Sequence, residues 1–199
     1  MRQRSKPSSK KYISSESQYQ KAPEIAFDGI PETEWKQLLL SVFKHSIRLL
    51  KPGGLIAVFT DWRRLEKMAS LMAQAGLPPK GVVVWDKTAG SRPVKGGFNL
   101  QTEFILWGRK GSGAPELYAH GVITPATLTK RQHLTQKPVK VIEHLLKVVP
   151  KGGKILDPFA GVATTGVACL KNGYSFTSVE VVPEYFEIGC RRLKELENN

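Results

Sequence analysis

The order of residues between positions 154 and 180 restricts this chain more than any other feature. A short apolar strand at 154–156 stops at Asp157, a turn containing Gly161 follows, a helix starts near Ala163, and a second strand at 174–179 delivers Glu180. A buried strand, a glycine-containing turn at a helix start and a carboxylate about twenty residues further on make an arrangement that grips an adenosine ribose through its hydroxyls. A dinucleotide site would need Gly-x-Gly-x-x-Gly to bring backbone close to a pyrophosphate, and only Gly161 and Gly166 are available. The pattern therefore suits a cofactor with one ribose and no phosphate.

Ahead of this unit, His133-Leu134-Thr135-Gln136-Lys137-Pro138 opens a helix, and Asp157-Pro158-Phe159-Ala160-Gly161 continues to Thr164-Thr165. In this order the two motifs resemble those of the exocyclic-amino DNA methyltransferases of the permuted (β) group, found in phages and restriction-modification systems. There a His-Pro-Thr-Gln-Lys-Pro helix start precedes an Asp-Pro-Phe-x-Gly-Ser-Gly-Thr-Thr turn. The resemblance extends upstream through Leu50-Lys51-Pro52-Gly53-Gly54, Ala57 to Trp62, Val84-Trp85-Asp86-Lys87 and Gln101-Thr102-Glu103-Phe104, and covers the chain from Thr33 onward.

The resemblance implies an α/β, Rossmann-like fold with a mostly parallel sheet in permuted order. It also implies S-adenosylmethionine as cofactor and methyl transfer to an exocyclic amine of double-stranded DNA, adenine ahead of cytosine. The cofactor residues it assigns are Thr135, Gln136 and Lys137 as donors to a carboxylate at a helix start, Asp157, Phe159, Gly161, Thr164 and Glu180. Each has a plainer reading. Asp157 is also a turn aspartate, Phe159 a core side chain, and Thr135 with Pro138 an ordinary helix start. Thr164 and Thr165 serve equally as carboxylate donors or as caps.

Three departures qualify the match. Gly161-Val162-Ala163 stands where the family has Gly-Ser-Gly, which adds β-carbons where backbone approaches the cofactor. Leu134 replaces the motif-opening proline. No Asp-Pro-Pro-Tyr, Asn-Pro-Pro-Tyr or Ser-Pro-Pro-Tyr occurs, since Pro78-Pro79 follows Leu77, so no catalytic residue is assigned. The amine of adenine or cytosine is a poor nucleophile because its lone pair is delocalised into the ring. Such enzymes flip the base out, stack it on an aromatic ring and accept its amino hydrogens on oxygens. In the family these groups come from the absent tetrapeptide, whose strand sits between the strand ending at Asp157 and the one at 55–59. Residues 1–30, with Ile25-Ala26-Phe27 as their apolar run, are too polar to replace it. The expectation is therefore an N-terminally truncated chain. Residues 1–32 form a basic, substrate-facing loop and residues 33–199 the methyltransferase domain, with a short target-recognition loop at 108–132 and the cofactor part at 133–199.

A formal net charge of +13 favours a polyanionic partner. The basic residues expected to face DNA are Arg2, Arg4, Lys10 and Lys11 near the start, and Lys87 and Arg92 in the glycine-containing loop at 87–99. Cys169 and Cys190 lack metal-ligand spacing and read as reduced core thiols of a cytoplasmic protein, with no metal. No apolar run has membrane-spanning length. Gly108, Gly111 and Gly113 lack the Lys-Ser or Lys-Thr of a phosphate loop. A homodimer is compatible with the sequence, which does not specify it. Two other functions stay open: an inactive DNA-binding remnant of such an enzyme, and a methyltransferase for RNA or a small molecule.

Apolar spacing predicts a helix from Thr33 through Leu50, a strand at 55–59, and a helix capped by Asp61 and closed by Gly76. Strands at 82–85 and 103–107 follow, joined by a long loop.

Overall fold

A computed structural model describes residues 29–88, 94–124 and 136–197. The first helix, α1 (Glu32–Leu49), begins one residue before Thr33, with Pro31 at its N-cap. Pro31 supplies the carbonyl for the Trp35 N–H at 3.0 Å and needs no donor of its own. Glu32 and Glu34 occupy the first turn, where the helix dipole favours negative charge. Hydrogen bonds from Lys67 and Lys36 hold the Glu32 carboxyl below its usual range.

The Pro52-Gly53-Gly54 turn leads to β1 (Leu55–Thr60). Gly53 has φ +76°, and a β-carbon there would lie 2.2 Å from the Gly113 carbonyl oxygen, so this position admits only glycine. In α2 (Leu65–Gln74), the expected Asp61 cap acts upstream of the helix. Its Oδ1 accepts the Arg63 N–H at 2.9 Å, closing the preceding turn, and Arg64 is the N-cap. Burial raises the Asp61 pKa, but the hydrogen bond and charge of Arg63 outweigh it and the net shift is downward. Gly76, at φ +96°, ends the helix as its spacing predicts.

Two strands, β2 (Gly81–Asp86) and β3 (Thr102–Arg109), pair antiparallel, and β4 (Val122–Ile123) pairs parallel to β2. The strand order is β1-β3-β2-β4, with β3 antiparallel to β1 as well. The sheet is mostly parallel as expected, β1, β2 and β4 running the same way, with β3 alone among the described strands reversed. The connections agree with this: β1 reaches β2 through α2 and keeps its direction, whereas the described residues of the loop after β2 carry no crossover helix and the chain returns. Period-2 alternation then sorts the faces. Val58 and Leu106 pack with Phe43, Met68 and Met72 under α1 and α2. On the other face Ala57, Phe59, Trp85 and Ile105 meet the next helix, α3 (Val139–Leu146), through Val141 and Leu145. Ile105 and Val141 are fully buried, and each such side chain contributes about 1.5–3 kcal/mol.

The C-terminal part is a strand-helix-strand-helix unit: β5 (Lys154–Asp157), α4 (Thr164–Asn172), β6 (Ser175–Ser178) and α5 (Pro183–Glu197). Here β5 and β6 pair parallel, Asp157 opposite Ser178. Ile155 and Phe176 face a core of Ile142, Leu146, Ala168, Cys169 and Tyr174, while Leu156 on the opposite face is 43% exposed. Phe59 of β1 packs against this core too, and Arg109 of β3 donates to the carbonyls of both Gly53 and Val148. The two sheets are thus held side by side. Among the described residues no strand is hydrogen-bonded between β1 and β5, where the resemblance places the tetrapeptide strand. No described helix is long and apolar enough to cross a membrane.

Candidate functional site

The tips of β5 and β6 are tied together by carboxylates. Asp157 accepts the Phe159 N–H on Oδ1 at 3.0 Å and the Thr165 hydroxyl on Oδ2 at 2.6 Å. Glu180 accepts the Gly161 N–H on Oε2 at 2.7 Å and the Val182 N–H on Oε1 at 2.9 Å. Each oxygen uses one of its two lone-pair directions, since an ionised carboxylate can accept about four hydrogen bonds. Glu180 therefore holds the turn and still has acceptor capacity for a diol. Around it Phe159, Val179 and Val181 are exposed, with Phe159 at 58%. The core-phenylalanine reading of Phe159 does not hold; its neighbours Asp157 and Thr165 close the turn beneath it and leave the ring outside.

The turn has an unusual backbone. Gly161 has φ +52° and Ala163 φ +58°, both left-handed, and for alanine this conformation costs about 1–2 kcal/mol. Space around a β-carbon at Gly161 is open, so this face of the turn admits a ligand. Ala163 is the N-cap of α4 and supplies no side-chain cap, which leaves first-turn N–H groups to be satisfied from outside the helix. Thr164 is buried at 8% exposure, its hydroxyl oxygen accepting from Arg192 of α5, so it serves the turn from within. Burial, reinforced by the nearby Asp157 charge, pushes the Cys169 thiol on α4 up to about 11.

The helix-start residues behave differently. Lys137, just before α3, forms an ion pair with Glu103 of β3 at 2.5 Å and lies 5.4 Å from the centre of the Phe59 ring. It shares that carboxylate with Lys87, which sits 3.9 Å from Glu103 and 5.9 Å from the Trp85 ring. Both lysines are thus turned towards β3. Gln136 is half-buried beside Lys137, and Pro138 stands at the N-cap of α3, one position earlier than a first-turn proline. Thr135 lies outside the described residues, as do Arg2, Arg4, Lys10, Lys11 and Arg92. Sequence reasoning missed Glu103 and Arg192. A carboxylate in a strand and an arginine in a helix have no local signature, and only the folded arrangement shows their partners.

Between the turn and α5 lies a cavity of about 40 Å³, bordered by Ala163, Ser178 and Gly189. Ligand sites span roughly 300–1,000 Å³, so a nucleoside would lie on the open side of the turn, against Phe159 and Val181. The residues fit such a group: a carboxylate with spare acceptors, apolar side chains a flat base can cover, and a helix N-terminus for an anionic end. Among the described residues no cluster of three or more His, Cys, Asp or Glu could hold a metal.

Comparison with known proteins identifies the family. A family model described as DNA methylase (N6_N4_Mtase) matches residues 21–123 and 115–191. The type II methyltransferase M2.DpnII of Streptococcus pneumoniae is 29% identical over 200 residues, covering 85% of this chain and 74% of that protein. The DNA adenine methyltransferase YhdJ of Escherichia coli (strain K12) is 40% identical over 62 residues, 31% of this chain and 21% of its own length. The crystal structure of the M1.HpyAVI–SAM complex superposes with a TM-score of 0.69 at 28% identity, covering 82% of this chain and 85% of that one. Since the family model spans most of its length, the chain belongs to the N6/N4 family of DNA methylases.

Proposed function

We propose that this chain binds S-adenosylmethionine at the β5–α4 turn and serves site-specific methyl transfer to an exocyclic amine of double-stranded DNA, the N6 of adenine before the N4 of cytosine. The observation that carries this reading is the Glu180 carboxylate, fixed at the tip of β6 by the Gly161 N–H at 2.7 Å with acceptor capacity to spare. The similarity to YhdJ supports adenine, and M1.HpyAVI, solved with SAM, supports the cofactor.

Glu180 takes the ribose hydroxyls, Gly161 leaves the backbone open to close approach, and Phe159 covers the base or the methyl-bearing end. Asp157 keeps the turn in register through Phe159 and Thr165 while its remaining lone pairs face an amino group. Thr135, Gln136 and Lys137, just ahead of Pro138 in the sequence, are assigned to a carboxylate, Lys137 being also paired to Glu103, and Thr164 supports the turn. The donor's sulfonium departs without acid assistance, so the protein contributes orientation and field. Double-stranded DNA is the partner and the cytoplasm the setting, with Arg2, Arg4, Lys10, Lys11 and Arg92 as DNA-facing basic residues, Lys87 being held back by Glu103. Residues 1–32 are the substrate-facing segment and residues 33–199 the methyltransferase domain, in which 108–132, beginning in β3 and including β4, serve target recognition and 133–199 the cofactor.

A second reading, a cofactor- and DNA-binding unit with little turnover of its own, is favoured by the absent tetrapeptide and by the lack of a described strand between β1 and β5. Purified chain with tritiated donor and duplex DNA separates these. Methyl incorporation at adenine N6 supports the first reading, donor binding without incorporation supports the second, and incorporation into RNA but not DNA contradicts both.

A further inference from the structure

We infer that Arg192 is a positioning residue that holds the cofactor turn in its ligand-ready shape, an inference that rests on the cofactor reading above. Its Nη1 donates to the Val162 carbonyl and, at 3.4 Å, to the Thr164 hydroxyl. These acceptors flank Ala163, the alanine held at φ +58°. Three residues earlier on α5, and so on the same helical face, Gly189 leaves room for the Ala163 β-carbon: a β-carbon on Gly189 would come within 3.0 Å of it. One face of α5 therefore grips both neighbours of the strained residue and makes space for the residue itself.

Electrostatics do not explain this placement. Arg192 lies at the N-terminal end of α4, where the helix dipole disfavours a cation. Burial lowers its pKa, with Glu195 acting in the opposite direction, so the guanidinium gives up hydration to be there. What it obtains is a fixed Val162 carbonyl and a fixed Thr164 hydroxyl. With these two groups fixed, the intervening Ala163 stays left-handed, and the Gly161 N–H two residues earlier points at Glu180. Without Arg192 the turn can relax to an ordinary right-handed alanine, which would draw the Gly161 N–H away from the carboxylate that faces the ribose.

The test compares wild type, Arg192→Met and Arg192→Lys at a temperature well below unfolding. Calorimetry reads S-adenosylmethionine affinity, and amide hydrogen exchange reads Gly161 in the ligand-free chain. Arg192→Met is expected to weaken binding about tenfold, the size of one lost charge-assisted hydrogen bond, and to speed Gly161 exchange. Arg192→Lys, which keeps a donor on a shorter stem, should recover part of both. A role limited to stability would lower the melting temperature and leave affinity and Gly161 exchange of the folded protein unchanged, which overturns the inference. If Arg192→Met does not fold, Arg192→Lys decides: equality with wild type in both readouts overturns it. If wild type itself fails to bind the nucleoside, the cofactor reading fails, and Gly161 exchange alone still reports whether Arg192 holds the turn.

Discussion

Asp157 and Glu180 each commit one lone pair per oxygen to the turn, which makes them structural and receptive at once. The cysteines show the opposite kind of environment. Cys169 is fully buried, and its thiol is pushed up to about 11 from an ordinary 9.0, whereas Cys190 is half-buried. Since the thiolate is the reactive form, iodoacetamide at pH 8 is expected to label Cys190 before Cys169 in the folded chain, and both after unfolding. Equal labelling of the two in the native protein would contradict the packing. The sign of the linkage follows from the raised value. The unfolded thiol loses its proton first, so the Cys169 contribution to stability is intact below pH 9 and is lost as pH rises towards 11.

Packing between α4 and α5 depends on an exchange of β-carbons: Ala163 carries one where the family has glycine, and Gly189 lacks one opposite it. In a helix alanine is favoured over glycine by about 0.8–1 kcal/mol, but on Gly189 the gain is set against crowding at 3.0 Å. Gly189→Ala is therefore expected to destabilise the wild type by about 1 kcal/mol and to become neutral or stabilising in an Ala163→Gly background, read by denaturant midpoints. Additive effects would show that the helices do not meet there.

Much of this element-level structure was legible in the sequence. The strand end at Asp157, the carboxylate of Glu180 just past the next strand, the α1 periodicity, the Gly76 stop and the two strands around the long loop all follow from local pattern. What was not legible depends on partners distant in sequence. The direction of β3 follows from its pairing with β1 and β2, the turn of Lys137 and Lys87 towards Glu103 from a partner on β3 that no local pattern marks, and the hold of Arg192 on Thr164 from the approach of two helices. The helix start expected at Thr33 falls at Glu32 and the expected Asp61 cap gives way to Arg64; neither N-cap makes a side-chain hydrogen bond, so no local signature marks the first helical residue.

At the scale of the whole molecule, two cores meet along α3: one between the mixed sheet and its helices, the other under β5 and β6, with Phe59 and Leu145 packing into both. Both strand sets lead to acidic residues: Asp61 follows β1 and Asp86 ends β2, while Asp157 ends β5 and Glu180 follows β6. With a net charge of +13, the chain should bind duplex DNA through phosphates. If about five phosphates are neutralised, log affinity falls with log salt at a slope of about −4 to −5. A slope shallower than about −1 in a fluorescence anisotropy titration would remove DNA contact from the account.

The central claim is that Glu180 grips the ribose of the cofactor, and S-adenosylmethionine titration by calorimetry, wild type against Glu180→Ala, tests it most directly. Loss of a charge-assisted acceptor predicts affinity reduced about tenfold to a hundredfold in a variant confirmed to be folded. Equal affinity of the two proteins would place the cofactor elsewhere and contradict the claim.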